Sequence, residues 1–248
     1  AGWRPAVMIE RHMPSDAPST IMPAVESLRD SEIQIRDCLF RGRAAFFVDR
    51  TLEPAVLRIS DTAVGVTDEI IRIEGADRAE MDGMQRPLAS LRIELDHATA
   101  VTQASFIRLW TESVRDAPEI RVDCRNSILD ASANGNPFVL LEGHQDSDFL
   151  LQRVHWFGSR NVLVHAGEPG CLVRGLWPLT GDEWSYSLGQ WQAQWQADWE
   201  ISSEAIVSES VLSWDPQAAT AYSAMQLNDF ALRPMANAEV LNPAQGSA

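Results

Sequence analysis

The chain has 248 residues, 45% of them hydrophobic, enough for one elongated domain with a sizeable core. Its 35 acidic residues against 20 basic ones give a net charge of −15, and such a surface repels phosphate backbones and anionic lipid headgroups, so nucleic acid and membrane surfaces are excluded as default partners. Every basic residue is arginine, which excludes Schiff-base, lysine-base and P-loop chemistry.

Codon usage in a GC-rich genome and adaptation to salt both fit an acidic, lysine-free chain. The cysteines, Cys38, Cys124 and Cys171, are odd in number and widely spaced, which argues for free thiols rather than a disulfide framework or a zinc knuckle. No apolar run reaches the roughly 20 residues that span a bilayer, so no direct membrane insertion is expected from this chain. The first residue is Ala1 and no signal peptide is visible, as expected of a processed product or a piece of something longer.

Residues 1–31 hold one short apolar run, AVMIE, and prolines at 5, 14, 18 and 23 that interrupt any long helix. They predict an edge strand and irregular covering segments.

From residue 32 a pattern begins and recurs. Four stretches, IQIRDCLF, LRISDTAV, RIELDHATA and RVDCRNSIL, align on one polar residue: Asp37, Asp61, His97 and Asn126. Four residues earlier stand Ile33, Leu57, Ile93 and Val122. Two earlier stand Ile35, Ile59, Leu95 and Cys124. These alternate with Gln34, Arg58, Glu94 and Asp123. Apolar–polar alternation at period two predicts strands with one buried face. Each copy continues into a second strand: Phe47, Ile71 and Ile107 come 14 residues after the first column, and Val139 comes 17 after it. A fifth, weaker copy runs through residues 153–176.

Units of this length, each unable to bury its own apolar face, predict a stacked solenoid. The expected fold is all-β: a right-handed parallel β-helix of about four to six coils over residues 32–176. The alternative is an antiparallel β-sandwich, which explains the strands but not the recurring columns.

Residues 177–248 change character. Leu188, Trp191, Trp195 and Trp199 follow helical spacing, and Ser187 with Gln190 fits a capping box, so a Trp-rich capping helix is expected, followed by a mixed tail. Trp191 and Trp195 are also the candidate ligand-binding residues, since an exposed tryptophan row stacks on sugar rings. The other reading is an aromatic stripe covering the open end of the coils.

The polar column Asp37, Asp61, His97, Asn126 reads as a structural turn ladder whose short side chains bond backbone amides at a corner. The outward row containing Arg58 and Glu94 reads as cross-strand ion pairing. If the chain is an enzyme, Glu94 and Arg58 are the candidate catalytic residues, acting on a polysaccharide as a lyase or glycoside hydrolase. No GxSxG, HExxH, CxxC or P-loop occurs, no compact set of oxygen ligands suggests a metal, and no cofactor is expected.

LRISDTAV, IIRIEG, FVLLEG and DEWSYSLGQWQAQW resemble the β-helical C-terminal part of membrane-anchored bacterial serine/threonine kinase-like proteins. NDFALRPMANA, residues 228–238, is similar to a phrase common near the end of bacterial right-handed β-helices, with Met235-Ala236-Asn237 where Ser-Pro is usual. The resemblance covers roughly residues 32–238 and carries over no kinase motif. It implies an extracytoplasmic or cell-surface module that binds a protein or glycan partner or assembles as an oligomer; the regular repeat and the missing catalytic constellation add the expectation that it does so without catalysis.

Overall fold

The computed structural model describes residues 7–9, 31–50, 54–74, 90–111, 117–131, 134–143, 151–164, 172–177, 182–187, 190, 205–207, 210–214 and 222–233. Strands make up most of these residues, with few helical turns. The strands are β1 (Val7–Ile9), β2 (Ser31–Arg36), β3 (Leu39–Gly42), β4 (Phe47–Asp49), β5 (Ala55–Ser60), β6 (Ala63–Val66), β7 (Ile71–Glu74), β8 (Ser90–Asp96) and β9 (Thr99–Thr102). They continue as β10 (Ile107–Trp110), β11 (Glu119–Arg125), β12 (Ile128–Asp130), β13 (Val139–Glu142), β14 (Val154–Ser159), β15 (Val162–Val164), β16 (Val173–Trp177), β17 (Asp182–Tyr186) and β18 (Ala205–Val207).

Three sheets result. The first has seven strands in the order β1-β4-β7-β10-β13-β16-β17, the second five, β2-β5-β8-β11-β14, and the third six, β3-β6-β9-β12-β15-β18. From β1 to β16 the chain thus visits the sheets in turn and returns to each with every third strand. All neighbours are parallel except β16 and β17. That pairing does not fit the antiparallel sandwich. The sheets also run past residues 32–176: β1 pairs with β4, and β17 and β18 extend two sheets beyond residue 176.

The columns of the sequence are in-register pairs. Ile33, Leu57, Ile93 and Val122 face one another across the second sheet, and Trp156 extends the row. Phe47, Ile71, Ile107 and Val139 do so across the first, extended by Val173. These rows point inward and meet in one core, with Leu57, Ile93, Ile71, Ile107 and Val139 fully buried. Phe106 and Phe138 stack at 5.0 Å, with Trp156 edge-on to Phe138 at 5.5 Å. Such pairs add roughly 0.5–1.5 kcal/mol beyond area burial. Cys124, buried in the inner row, and Cys38, half-buried, form no disulfide. Cys171 lies outside the described residues.

The sequence predicts two strands per copy, and the fold has three. The short runs LFRG, AVGV, TAVT, ILD and VLV after each polar corner form the third sheet. In β6, β9, β12 and β15 alternation is lost because the sheet is covered on both faces there, whereas β3 at the edge leaves Leu39 exposed. Val64, Ala100, Leu129 and Leu163 face the main core. Ala63, Val101, Val162 and Val164 face outward into a second cluster with Val211, Leu212, Trp214, Tyr222, Met225 and Phe230.

Those partners belong to a C-terminal strap, residues 210–214 and 222–233. The strap closes on itself: Leu212 and Leu232 form an antiparallel bridge, Ser213 N–H donates to the Ala231 carbonyl (2.7 Å), and Arg233 N–H donates to the Val211 carbonyl (2.8 Å). Met225 lies on Gly65, where an added Cβ would come 2.3 Å from its sulfur, and the Arg41 guanidinium donates to the Met225 carbonyl.

Candidate functional site

Asp37, Asp61, His97 and Asn126 occupy one place in successive copies, between the second and third sheets. Each has positive φ, at 53°, 48°, 52° and 50°, and Arg160 takes the same place in the fifth copy with φ 58°. L-residues enter this left-handed region at a cost, and Asn and Asp enter it most readily after Gly. The corner backbones stack. Asp37 N–H donates to the Ser60 carbonyl (3.3 Å), Asp61 N–H to Asp96 (3.1 Å), His97 N–H to Arg125 (3.2 Å) and Asn126 N–H to Ser159 (3.1 Å).

The expected job of these side chains, bonding backbone amides, falls to the next residue along. Thr62 Oγ1 accepts from Cys38 N–H (3.4 Å) and donates to the Ser60 carbonyl (2.7 Å). Ser127 Oγ accepts from Ala98 N–H (3.1 Å) and donates to the Arg125 carbonyl (2.7 Å). Asn161 Oδ1 accepts from Ser127 N–H (3.0 Å) while its Nδ2 donates to the Cys124 carbonyl (2.9 Å). Thr62, Ser127 and Asn161 are buried, whereas Asp37, Asp61 and His97 are exposed. The exposed corner groups bond laterally: Asn126 Nδ2 to Asp96 Oδ1 at 3.0 Å, and His97 Nδ1 to the same oxygen at 3.1 Å.

The corner residues are therefore selected by φ, and a pair of substitutions separates φ from side-chain bonding. Asp61→Ala is expected to cost about 1 kcal/mol and Asp61→Gly close to nothing in urea unfolding. Equal losses in both would return the role to the carboxylate.

Arg58 and Glu94 lie on the outward face of the second sheet, within a chain of alternating charge. Arg58 reaches Glu32 (Nη1–Oε1 2.5 Å) and Glu94 (Nε–Oε2 2.8 Å). Arg92 Nε bridges Glu94 Oε1 (2.9 Å) and Asp123 Oδ2 (3.1 Å), and Arg121 closes the series on Asp123 (3.1 Å). Arg121 also lies over the Phe157 ring at 3.9 Å. Both oxygens of Glu94 are thus held by guanidiniums. Side-chain exposure of 42% for Arg58 and 27% for Glu94 keeps such pairs in well-solvated territory, where each contributes roughly 0.2–1 kcal/mol. Glu94→Gln is expected to lower stability by less than about 1 kcal/mol, with the difference shrinking in molar salt; a larger, salt-independent loss would contradict this.

The first sheet carries a second charged group on its outward side. Arg108 Nε donates to Glu142 (2.5 Å) and its Nη1 to the buried Glu69 (3.3 Å), which also accepts from Arg72 Nε (2.9 Å). Burial pushes the neighbouring Asp68 carboxyl above the usual range, and the charge of Arg72 pulls against it. Among the described residues no group of three or more His, Cys, Asp or Glu is placed to hold a metal ion, and no helix is long and apolar enough to cross a membrane.

Trp191 and Trp195 lie outside the described residues. Just before them, Gln190 N–H donates to Ser187 Oγ (3.3 Å) and Ser187 N–H donates to Gln190 Oε1 (2.9 Å), the reciprocal bonds of a capping box. Trp184 belongs to β17, where its indole occupies the space an added Cβ on Gly175 would need, with Nε1 1.9 Å away. Tyr186 packs edge-on to it at 4.8 Å. No family model, curated protein or solved structure matches the chain.

Proposed function

We propose that the chain is a parallel β-helix that acts without catalysis, as a rigid module for binding or assembly at the cell surface. The five successive strand triplets, from β2-β3-β4 to β14-β15-β16, support the solenoid reading, in which each triplet would be one coil. The observation that carries the functional reading is the alternating chain Glu32–Arg58–Glu94–Arg92–Asp123–Arg121, in which the outward acids and bases of one flat sheet engage one another. A general acid or base needs an uncommitted group beside the reacting bond, whereas a regular charged lattice suits a protein or glycan surface of matching pattern. The surface location rests on the resemblance of the repeats to bacterial surface β-helices. The Ser187–Gln190 box supports a helix start ahead of Trp191 and Trp195, which this reading assigns to the cap.

Light scattering of the purified chain, with a panel of glycans and peptides, tests the proposal. A defined oligomer, or a panel ligand whose affinity falls on Arg58→Ala and Arg92→Ala, is the expected result. A strict monomer that binds nothing on the panel would count against it.

A further inference from the structure

We propose that the outward face of the second sheet binds a second copy of the chain, about a two-fold axis that crosses the strands over Ile33, Leu57, Ile93, Val122 and Trp156. This rests on the reading of the chain as an assembly module, and it names the partner. The starting point is the order of charge along β11. Its outward side chains are Glu119, Arg121, Asp123 and Arg125, while Ile120, Val122 and Cys124 between them are fully buried. The outward series changes sign about Val122: Glu119 answers Arg125, and Arg121 answers Asp123. A second β11 laid antiparallel over the first, centred on Val122, therefore sets every acid against a base.

The neighbouring strand has the same property about the same centre. Ile93 of β8 is in register with Val122. The outward Arg92 and Glu94 flank it and exchange partners in the same way, and Ser90 meets Asp96. In the other strands the centre falls on Ile33, Leu57 and Trp156. Glu32 then meets Gln34, Val56 meets Arg58, and His155 meets Phe157. Within these five strands no like charges are opposed.

Other placements oppose like charges. An axis moved onto the row of Arg58, Glu94 and Asp123 sets each of them against itself. Moved the other way, it sets Arg92 and Arg121 against themselves. An axis along the strands sets Glu94 against itself over β8, Asp123 against itself over β11, and Arg125 against Arg36 between β5 and β8. Like-charge juxtaposition is costly enough to fix the register of an interface.

The face is also where two acidic chains can meet. β2 and β11 each carry as many bases as acids outward, and the arginine of β5 offsets the extra acid of β8, so the face is neutral on a chain of net charge −15. The excess acid lies elsewhere, and there two copies repel. Side-chain exposures of 49% for Arg92, 47% for Arg121 and 54% for Glu119 leave the face open. The bonds along the face do not exhaust it, because a guanidinium has more donors than one carboxylate takes up. Five strands about 4.8 Å apart, with up to seven residues at about 3.3 Å each, present about 500 Å² per copy. The total, about 1,000 Å², is at the low end for a specific interface, which implies a reversible dimer.

Sedimentation velocity of the full chain, from micromolar to near-millimolar concentration, tests the proposal with Arg121→Glu and Asp123→Arg. The wild-type chain should dimerise reversibly. Each variant alone opposes two like pairs and should dimerise about tenfold more weakly or worse. An equimolar mixture of the two variants again sets acid against base at both positions, so it should form a mixed dimer of wild-type strength. Circular dichroism checks that each variant is folded. Should one fail to fold, Arg125→Glu and Glu119→Arg, at the exposed ends of the same strand, make the same test. A wild-type chain that stays monomeric, or a mixture no more associated than its components, would overturn the proposal. A dimer that neither variant weakens would also overturn it, but would leave the assembly reading standing, since another face would then join the copies.

Discussion

Gly143→Ala is expected to destabilise the chain by about 3–5 kcal/mol, the largest loss foreseen for any single methyl group added to it. Gly143 follows β13 with φ 110°, a conformation that L-residues avoid. An added Cβ would lie 2.1 Å from the Thr111 carbonyl oxygen and 2.8 Å from its carbon. That obstacle is backbone, and it is tied into the stack: Thr111 N–H donates to the Glu142 carbonyl (3.0 Å) and Gly143 N–H to the Leu176 carbonyl (3.3 Å). No rotamer change relieves the overlap, so the backbone must move and stretch bonds on both sides. Gly42→Ala supplies the control, since nothing lies within 4 Å of its added Cβ; it should change stability by less than about 0.5 kcal/mol. Denaturant midpoints of the two variants measure the contrast. Similar midpoints would mean that the stack between β10 and β13 is not packed as described.

Asn161→Leu is expected to cost about 2–4 kcal/mol. Leucine keeps the branching of asparagine but carries no polar atom, so both side-chain bonds are lost together and its greater bulk adds some overpacking. It removes the Asn161 bonds to the buried Ser127 N–H and Cys124 carbonyl, and a buried backbone group left unpaired costs roughly 1–3 kcal/mol. The exposed corner residues one column earlier should behave differently, with Asp61→Ala near 1 kcal/mol. If Asn161→Leu costs no more than Asp61→Ala, the buried ladder does not hold the corner.

These contrasts mark where the sequence could be read and where it could not. The inner rows were legible because one face of the second sheet is solvated: Ile33, Leu57, Ile93 and Val122 alternate with Gln34, Arg58, Glu94 and Asp123, and the columns become strand pairs with no shift of register. The third sheet was hidden because its cover comes from far along the chain. AVGV is buried at all four positions, its outward side under residues of the strap, so period-two alternation disappears. The corner was half legible. Asp, His and Asn both bond backbone amides and tolerate positive φ, so their column alone does not distinguish the two roles, and Arg160 breaks the chemical class while keeping the geometry. The true amide partners were masked by mixed occupancy: their column runs Cys38, Thr62, Ala98, Ser127, Asn161. Neither Cys38 nor Ala98 signals a polar ladder. The outward charges were legible as a row, but the diagonal bridges of Arg58 to Glu32 and of Arg92 to Asp123 need the strand stagger.

The proposed role implies that the charged face of the second sheet is spent on structure and surface recognition rather than on bond breaking. The most direct measurement is incubation of the purified chain with acidic and neutral polysaccharides, with and without calcium, while new reducing ends and unsaturated products are followed. The expected result is no product above the blank for any polymer. Product formation by the wild-type chain that disappears in Glu94→Gln and Arg58→Ala, both still folded, would contradict the proposal and make this face an active site.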